Sequence, residues 1–451
     1  MANTYLTRTL GTPTNSDICT ISVWLKIAST NATHGIAQQY SNSTNNFRFR
    51  IIPDGRLQIF QETLGASEIS LLTTQVFRDT SAWYHIVIAF DTTQGTASNR
   101  VKLYVNGSQI SDFDAETYPS QNTDIRYNIN SLVQEIGKQD TSNYFDGSMS
   151  HFHFTDGYAY DASAFGQYDA NGVWTIKTSP SVTYGTNGFF ILKDGNSVTD
   201  QSGNGNNFTV AGGTLTNTED NPSNVFATLN FLNKEIGGAT LSNGNNKLVT
   251  GSGTPYTGKT NATLGASTGK YYWEVKPTTD PSTTFHICAI VGEDFDINNS
   301  TTYLNANGTE GKSYISFKMA NGNIATNFTG TRVDTSYGNA VSTNDIIGVA
   351  LDLDNGKIFF SINGTWQNSG DPVTGTNPAS SDVGSLGGDI VFPAFGDGNY
   401  ATSATLEINF GNGYFGTTAV ASAGTNASGI GIFEYDVPTG YTALSTKGLN
   451  L

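Results

Sequence analysis

The sequence predicts an all-β protein built from two antiparallel β-sandwiches of jelly-roll type joined by a short linker. Three observations carry this. Charged residues make up only 13% of the 451 positions, about half the usual share, so the Glu, Lys and Arg that normally furnish exposed helix faces are missing. Short runs rich in aromatic and β-branched residues recur, separated by Gly, Asn, Asp and Ser clusters at roughly eight to twelve residue intervals. No 3.6-residue period of helical length is sustained, although Ala162-Ser-Ala-Phe165 suits one short turn.

The strands follow in order. Ile21–Ile27, Phe47–Ile52 and Trp83–Phe90 belong to the first sandwich, and Lys270–Lys276, Ile346–Leu351 and Lys357–Ile362 to the second. Between the two regions, Thr214-Leu-Thr-Asn-Thr-Glu-Asp-Asn-Pro-Ser-Asn-Val-Phe226 is polar, contains Pro and does not alternate, which is linker composition. The expected division is therefore a sandwich over 1–213, a linker over 214–226, and a second sandwich with a C-terminal extension over 227–451. A weak internal repeat relates the halves: Lys102-Leu-Tyr-Val-Asn-Gly107 and Lys357-Ile-Phe-Phe-Ser-Ile-Asn-Gly364 both end on Asn-Gly after a strand. Both residue types tolerate positive φ, so each predicts a type I′ turn.

A formal charge of −16 repels phosphate backbones and anionic membranes, which argues against nucleic-acid binding. No run approaches 18 apolar residues, so membrane insertion is not expected, and without a signal-like start the expectation is folding in a cytoplasm. Cys19 and Cys288 fall in different predicted domains and are read as free buried thiols. The Asn-x-Ser/Thr triplets at Asn106 and Asn363 then reflect composition rather than glycosylation.

Several motifs resemble known families. Ser22-Val-Trp-Leu-Lys26, Ala82-Trp-Tyr-His-Ile-Val87, Leu103-Tyr-Val-Asn-Gly107 and Tyr144-Phe-Asp-Gly147 resemble laminin-G-like domains of the concanavalin-type lectin and glucanase superfamily, over about the first 215 residues. Asp200-Gln-Ser-Gly-Asn-Gly-Asn-Asn207 resembles a segment that precedes the Trp strand in many such domains, which implies a sandwich closed by a strand from its C-terminal side. Tyr271-Tyr-Trp-Glu-Val275, Leu351–Gly364 and Ile408-Asn-Phe-Gly411 resemble a SPRY domain. Phe154-Thr-Asp-Gly157, Tyr184–Phe189, Asp200–Gly205, Asn221–Leu229 and Val437–Leu444 resemble phrases in large virion proteins of tailed phages, especially marine ones. That resemblance implies a tail fibre, tail tip or capsid appendage that assembles in a host bacterial cytoplasm and touches host surface carbohydrate or other virion proteins. A symmetric homo-oligomer is expected of such an appendage.

The residues that carry chemistry point the same way. A glucanase of this superfamily needs a Glu-x-Asp-x-x-Glu strand; Glu434-Tyr-Asp436 is followed by Thr439 where the third carboxylate should stand. The expectation is a non-enzymatic protein, with a polysaccharide-degrading tail-spike depolymerase as the alternative. Gly265-Ala-Ser-Thr-Gly-Lys270 departs from a phosphate loop at Leu264 and Tyr271 and reads as a surface turn. His151 and His153 share a strand face but lack a third zinc ligand in the sequence around them, so packing is the expected role.

Calcium is the cofactor expectation. Asp200-x-Ser202-x-Asn204-Gly205 has the oxygen spacing of a calcium loop, yet Ala211 occupies the closing position. Asp294-x-Asp296-x-Asn298 is similar, with Asn305 in the closing place. The laminin-G-like resemblance implies a calcium at the sandwich rim and carries over Asp140 and Asp146 as candidates beside Tyr144-Phe-Asp-Gly147. For glycans, aromatic rings beside Asn and Asp are the expected contacts.

Overall fold

The computed structural model describes residues 3–193, 198–251, 258–284, 286–298, 304, 313–397 and 403–451. The fold is all-β, as the sequence predicts: among the described residues one four-residue α-helix, Pro281–Thr284, and short 3₁₀ turns stand beside the strands. The chain divides into two compact units, residues 1–217 with 221–223, and residues 218–220 with 224–451.

In the first unit an eight-stranded antiparallel sheet runs in the order Phe113–Thr117, Ala66–Val76, Arg56–Thr63, Asn45–Ile51, His34–Asn42, Val133–Ile136, Tyr5–Thr9, Thr209–Ala211. It faces a six-stranded sheet ordered Phe189–Ile191, Gly147–Asp156, Ile18–Ile27, Tyr84–Asp91, Val101–Val105, Ser108–Ile110. Strand alternation explains the core. Cys19, Ile21, Val23, Leu25 and Ile27 point inward to meet Phe47, Phe49 and Ile51, whereas Thr20, Ser22, Trp24 and Lys26 point outward. Thr209–Ala211 pairs with Tyr5–Thr9, so a C-terminal strand does close this sandwich.

The outward face of the six-stranded sheet is covered as well. Residues 157–188 form a strap over it, and Ala162 and Phe165 bury against Val87 with Tyr104, Tyr160, Trp174 and Val182 around them. A buried aspartate fastens the ends of the strap. Asp156 accepts from the backbone N–H groups of Thr14, Asn15 and Asn187 and from the Asn128 amide. Phe154-Thr-Asp-Gly157 and Tyr184–Phe189, two of the phrases singled out in the sequence, therefore meet at one buried carboxylate.

The second unit stacks two further sheets. One runs Leu229–Lys234, Thr260–Ala262, Val391–Asp397, His286–Gly292, Tyr314–Lys318, Asn323–Asn327, Arg332–Ser336. The other runs Ala239–Ser242, Lys247–Thr250, Thr405–Asn409, Lys270–Pro277, Ile347–Asp352, Lys357–Ile362, Thr365–Trp366, with Thr442–Ala443 added parallel to Lys270–Pro277. Trp273, Val275, Ile290, Phe317, Phe360 and Phe395 fill the space between them. The C-terminal extension lies on the outer face of the second sheet, where Phe433, Val437 and Tyr441 bury against Tyr272 and Phe359. Phe226, the last residue of the expected linker, is part of that cluster, and Asp220 accepts its N–H. At the other end of the segment, the carbonyl of Thr214 accepts from the Thr4 hydroxyl in the first unit.

Both Asn-Gly turns form as predicted. Asn106 and Gly107 have φ of 45° and 83°, and Asn363 and Gly364 have 48° and 78°. In both, the Asn side chain accepts a backbone N–H from the preceding strand region, that of His85 and that of Ile346. Cys19 and Cys288 are buried free thiols, and burial raises the pKa of each.

Candidate functional site

The strap of the first unit carries a hairpin that presents aromatic side chains. Gly166–Tyr168 pairs with Trp174–Ile176 across a turn in which Asp169 accepts the N–H groups of Asn171 and Val173. Tyr168 lies directly opposite Trp174, and their rings meet edge to face at 4.9 Å. Tyr168 is 56% exposed and Val173 57%, so the hairpin tip presents an apolar surface.

Trp174 is held from beneath. Its indole N–H donates to Nδ1 of buried His85 at 3.0 Å, and the two rings stack at 5.9 Å. Trp24 stacks on the other side of His85 at 4.7 Å. Gly107 and Gly166 let the backbone lie against the indole: a Cβ at either would stand 2.4 Å from a ring carbon. A large aromatic fixed in this way costs little entropy when a ligand stacks on its neighbour.

His85 also contacts Ser22 Oγ through Nε2 at 2.9 Å, which outwardly resembles a nucleophile and its base. The hydrogen-bond directions oppose that role. An indole nitrogen only donates, so Nδ1 of His85 carries no hydrogen; the neutral ring keeps its hydrogen on Nε2 and donates to Ser22. Burial, reinforced by His151, lowers the His85 pKa to about 3, which keeps the ring neutral. The arrangement supports a tryptophan rather than activating a serine.

His151 and His153 lie close, with ring centroids 6.4 Å apart, on a strand whose register shifts between Ser150 and His153. His153 stacks on Phe190 at 3.9 Å and contacts the Tyr184 hydroxyl at 2.9 Å, so it packs the underside of the strap. Among the described residues, no group of three or more His, Cys, Asp or Glu is placed to hold a metal ion.

The three calcium candidates occupy separate places. Asp200 is buried, and its carboxylate accepts four donors: the N–H groups of Phe190, Ser202 and Asn206 and the Ser202 hydroxyl. A cation at Asp200 has to displace these donors, and the Asn204 amide turns away to the carbonyls of Gly185 and Gly188. Asp146 accepts from the Ser29 hydroxyl at 2.7 Å. Asp140 forms a 3.2 Å ion pair with Arg48. Asp146 lies by His34 and Asp140 by Gln38, four positions further along one strand and so about 13 Å away. In the second weak loop, Asp296 accepts the N–H of Asn298, and Asn305 lies outside the described residues.

In the second unit Glu434 accepts from the Ala421 N–H and Asp436 from the N–H and hydroxyl of Thr425, so both fasten the C-terminal extension. Glu274 is fully buried beneath that extension. It accepts from the N–H groups of Glu434 and Tyr435, the Asn409 amide and the Tyr272 hydroxyl. Burial raises its pKa to about 7 against these four donors.

Comparison with known proteins matches residues 2–162 to a family described as concanavalin A-like lectin/glucanases superfamily, of laminin-G type, and residues 270–412 to the SPRY domain. No curated protein matches the sequence. Similar solved structures include the SPRY domain of human HERC1, 17% identical with a TM-score of 0.29, covering 38% of this chain and 91% of that one. The TRIM65 PSpry domain is 14% identical with a TM-score of 0.30, covering 41% and 88%. A SAP-like pentraxin from Limulus polyphemus is 16% identical with a TM-score of 0.26, covering 35% and 72%. The chain thus carries a laminin-G-like, concanavalin-type domain followed by a SPRY domain.

Proposed function

We propose that this chain is a non-enzymatic recognition protein of a tailed-phage virion, a surface appendage that binds host glycans or neighbouring virion proteins through its laminin-G-like unit. The observation that carries the binding role is the exposed Tyr168 set against the immobilised Trp174 at the tip of a rigid hairpin. Stacking on a sugar face needs an exposed aromatic ring on a fixed support, and Tyr168 set edge to face on the immobilised Trp174 supplies it. The virion assignment rests on the phrases shared with phage structural proteins. Catalysis has no comparable support: the carboxylates of Asp156, Asp200 and Glu274 are buried, and each is occupied by several hydrogen-bond donors.

Mass spectrometry of purified virions tests the assignment, with the protein expected at structural stoichiometry; its absence overturns the virion role. Incubation with host capsule and lipopolysaccharide is expected to release no reducing ends or unsaturated products. Their release would instead establish a depolymerase.

A further inference from the structure

The outward face of the eight-stranded sheet holds two arginines side by side. In the strand Asn45–Ile51, Phe47, Phe49 and Ile51 enter the core, so Arg48 and Arg50 share the opposite face. Their cross-strand partners are Phe60 and Gln58 on one side and Gln38 and Gly35 on the other. The short hairpin of Lys138–Gln139 and Asn143–Tyr144 crosses this face at Gly35, where an added Cβ would stand 2.3 Å from the Gln139 backbone nitrogen. It forms a wall beside the arginines.

Donors outnumber acceptors here. Asp140 is paired with Arg48, whose guanidinium also lies over the Phe60 ring at 5.7 Å. Arg50 reaches only neutral oxygens among the described residues: Nε donates to Gln58 Oε1 at 2.8 Å and Nη1 to Gln139 Oε1 at 3.0 Å. Two buried donors nearby, Arg48 Nε and Gln139 Nε2, have no hydrogen-bond acceptor, and Asp140 Oδ1 is engaged only through its ion pair with Arg48. Asp140 acts on Arg50 as well but is already paired with Arg48, so two half-buried guanidiniums share one carboxylate and a second anion would complete the set.

We propose that this face is a second binding site, separate from the aromatic hairpin, at which Arg50 receives the carboxylate of an acidic sugar. The planar fork of arginine matches a carboxylate in two parallel hydrogen bonds. Gln58 and Ser70 on the same face offer amide and hydroxyl groups to sugar hydroxyls, and Phe60 offers an apolar surface to the ring.

The test is a glycan array carrying carboxylated, sulfated and neutral glycans together with a glutamate-rich peptide, probed with the full chain. Wild-type protein is expected to retain carboxylated glycans and to lose them when their carboxyls are esterified. Arg50→Gln is expected to weaken that retention at least tenfold, and Arg50→Lys to weaken it less, because charge remains without the fork. Arg78→Gln, at an exposed arginine elsewhere in the first unit, is expected to leave it unchanged, which ties retention to Arg50 rather than to overall charge. Unfolding curves that match wild type confirm that the variants fold. Retention of sulfated glycans or peptide alone, equal retention by Arg50→Gln, or no retention of any carboxylated glycan overturns the proposal.

Discussion

The indole N–H of Trp174 donates to Nδ1 of His85 across 89 positions of sequence, tying the tip of an exposed strap to the middle strand region of a buried sheet. This bond fixes the tautomer of the histidine, seats the hairpin that carries Tyr168, and requires His85 to stay unprotonated.

A pH dependence follows. The folded pKa of His85 is about 3 whereas the unfolded ring titrates near 6.5, so below pH 6.5 the unfolded chain binds a proton that the folded chain refuses. Stability is complete above pH 6.5 and is lost as pH falls toward 3, by about 1.4 kcal/mol per pH unit for this one site. His153, lowered in the same direction by burial, adds to the loss. Denaturant unfolding at pH 7 and pH 5 is expected to show the advantage of wild type over His85→Gln shrinking by about 2 kcal/mol. A constant difference contradicts the assignment.

Trp174→Phe keeps an aromatic ring but removes the N–H, leaving a buried acceptor on His85. The expected cost is about 1–3 kcal/mol, measured by denaturant unfolding at pH 7. Tyr168→Ala, at an exposed position, is expected to stay within about 0.5 kcal/mol of wild type.

Two glycines near the hairpin should respond differently to alanine. Both have positive φ, 83° at Gly107 and 77° at Gly172, so each carries a backbone penalty of about 1–2 kcal/mol. A Cβ at Gly107 also stands 2.4 Å from the Trp174 ring, whereas at Gly172 nothing lies within 4 Å. Gly107→Ala is therefore expected to lower the melting temperature well beyond Gly172→Ala and to shift tryptophan emission. Equal effects would show that Trp174 is not packed as described.

Asp200 organises its loop through donors. Asp200→Asn turns one acceptor oxygen into a donor facing N–H groups, with an expected cost of about 1–3 kcal/mol. Thermal melts in calcium and in chelator are expected to show the same loss. A loss confined to calcium-containing buffer would identify this aspartate as a metal ligand.

Glu274 behaves oppositely to the histidines. Its folded pKa of about 7 exceeds the ordinary glutamate value, so the folded chain holds a proton that the unfolded chain gives up between about 4.5 and 7. Its contribution is greatest below pH 4.5 and falls as pH rises to 7, by about 1.4 kcal/mol per unit. Glu274→Gln is expected to flatten the pH dependence of the second unit, read as its unfolding midpoint between pH 5 and 7.

The elements legible in the sequence are those that local chemistry dictates. Asn106-Gly107 and Asn363-Gly364 announce their turns because positive φ at both positions is a property of the two residues themselves. The core-facing alternation of Cys19, Ile21, Val23 and Leu25 is legible because strand period is local. The partners of His85 were not legible, since Ser22 and Trp174 arrive from distant segments through strand pairing and a strap that no short pattern encodes. Asp140 was singled out, but its neighbour Arg48 depends on how a short hairpin folds over Gly35. In the same way, spacing suggested calcium at Asp200, while the four donors around it come from turn geometry and a neighbouring strand.

If the aromatic hairpin is the recognition surface, binding depends on Tyr168. Surface binding of the purified full chain to the host cell envelope, compared between wild type and Tyr168→Ala at equal stability, tests it most directly. Saturable binding by wild type and at least a tenfold loss in the variant are expected, consistent with about 1.4 kcal/mol or more from one stacked ring. Equal binding by the two proteins, or none by wild type, contradicts it.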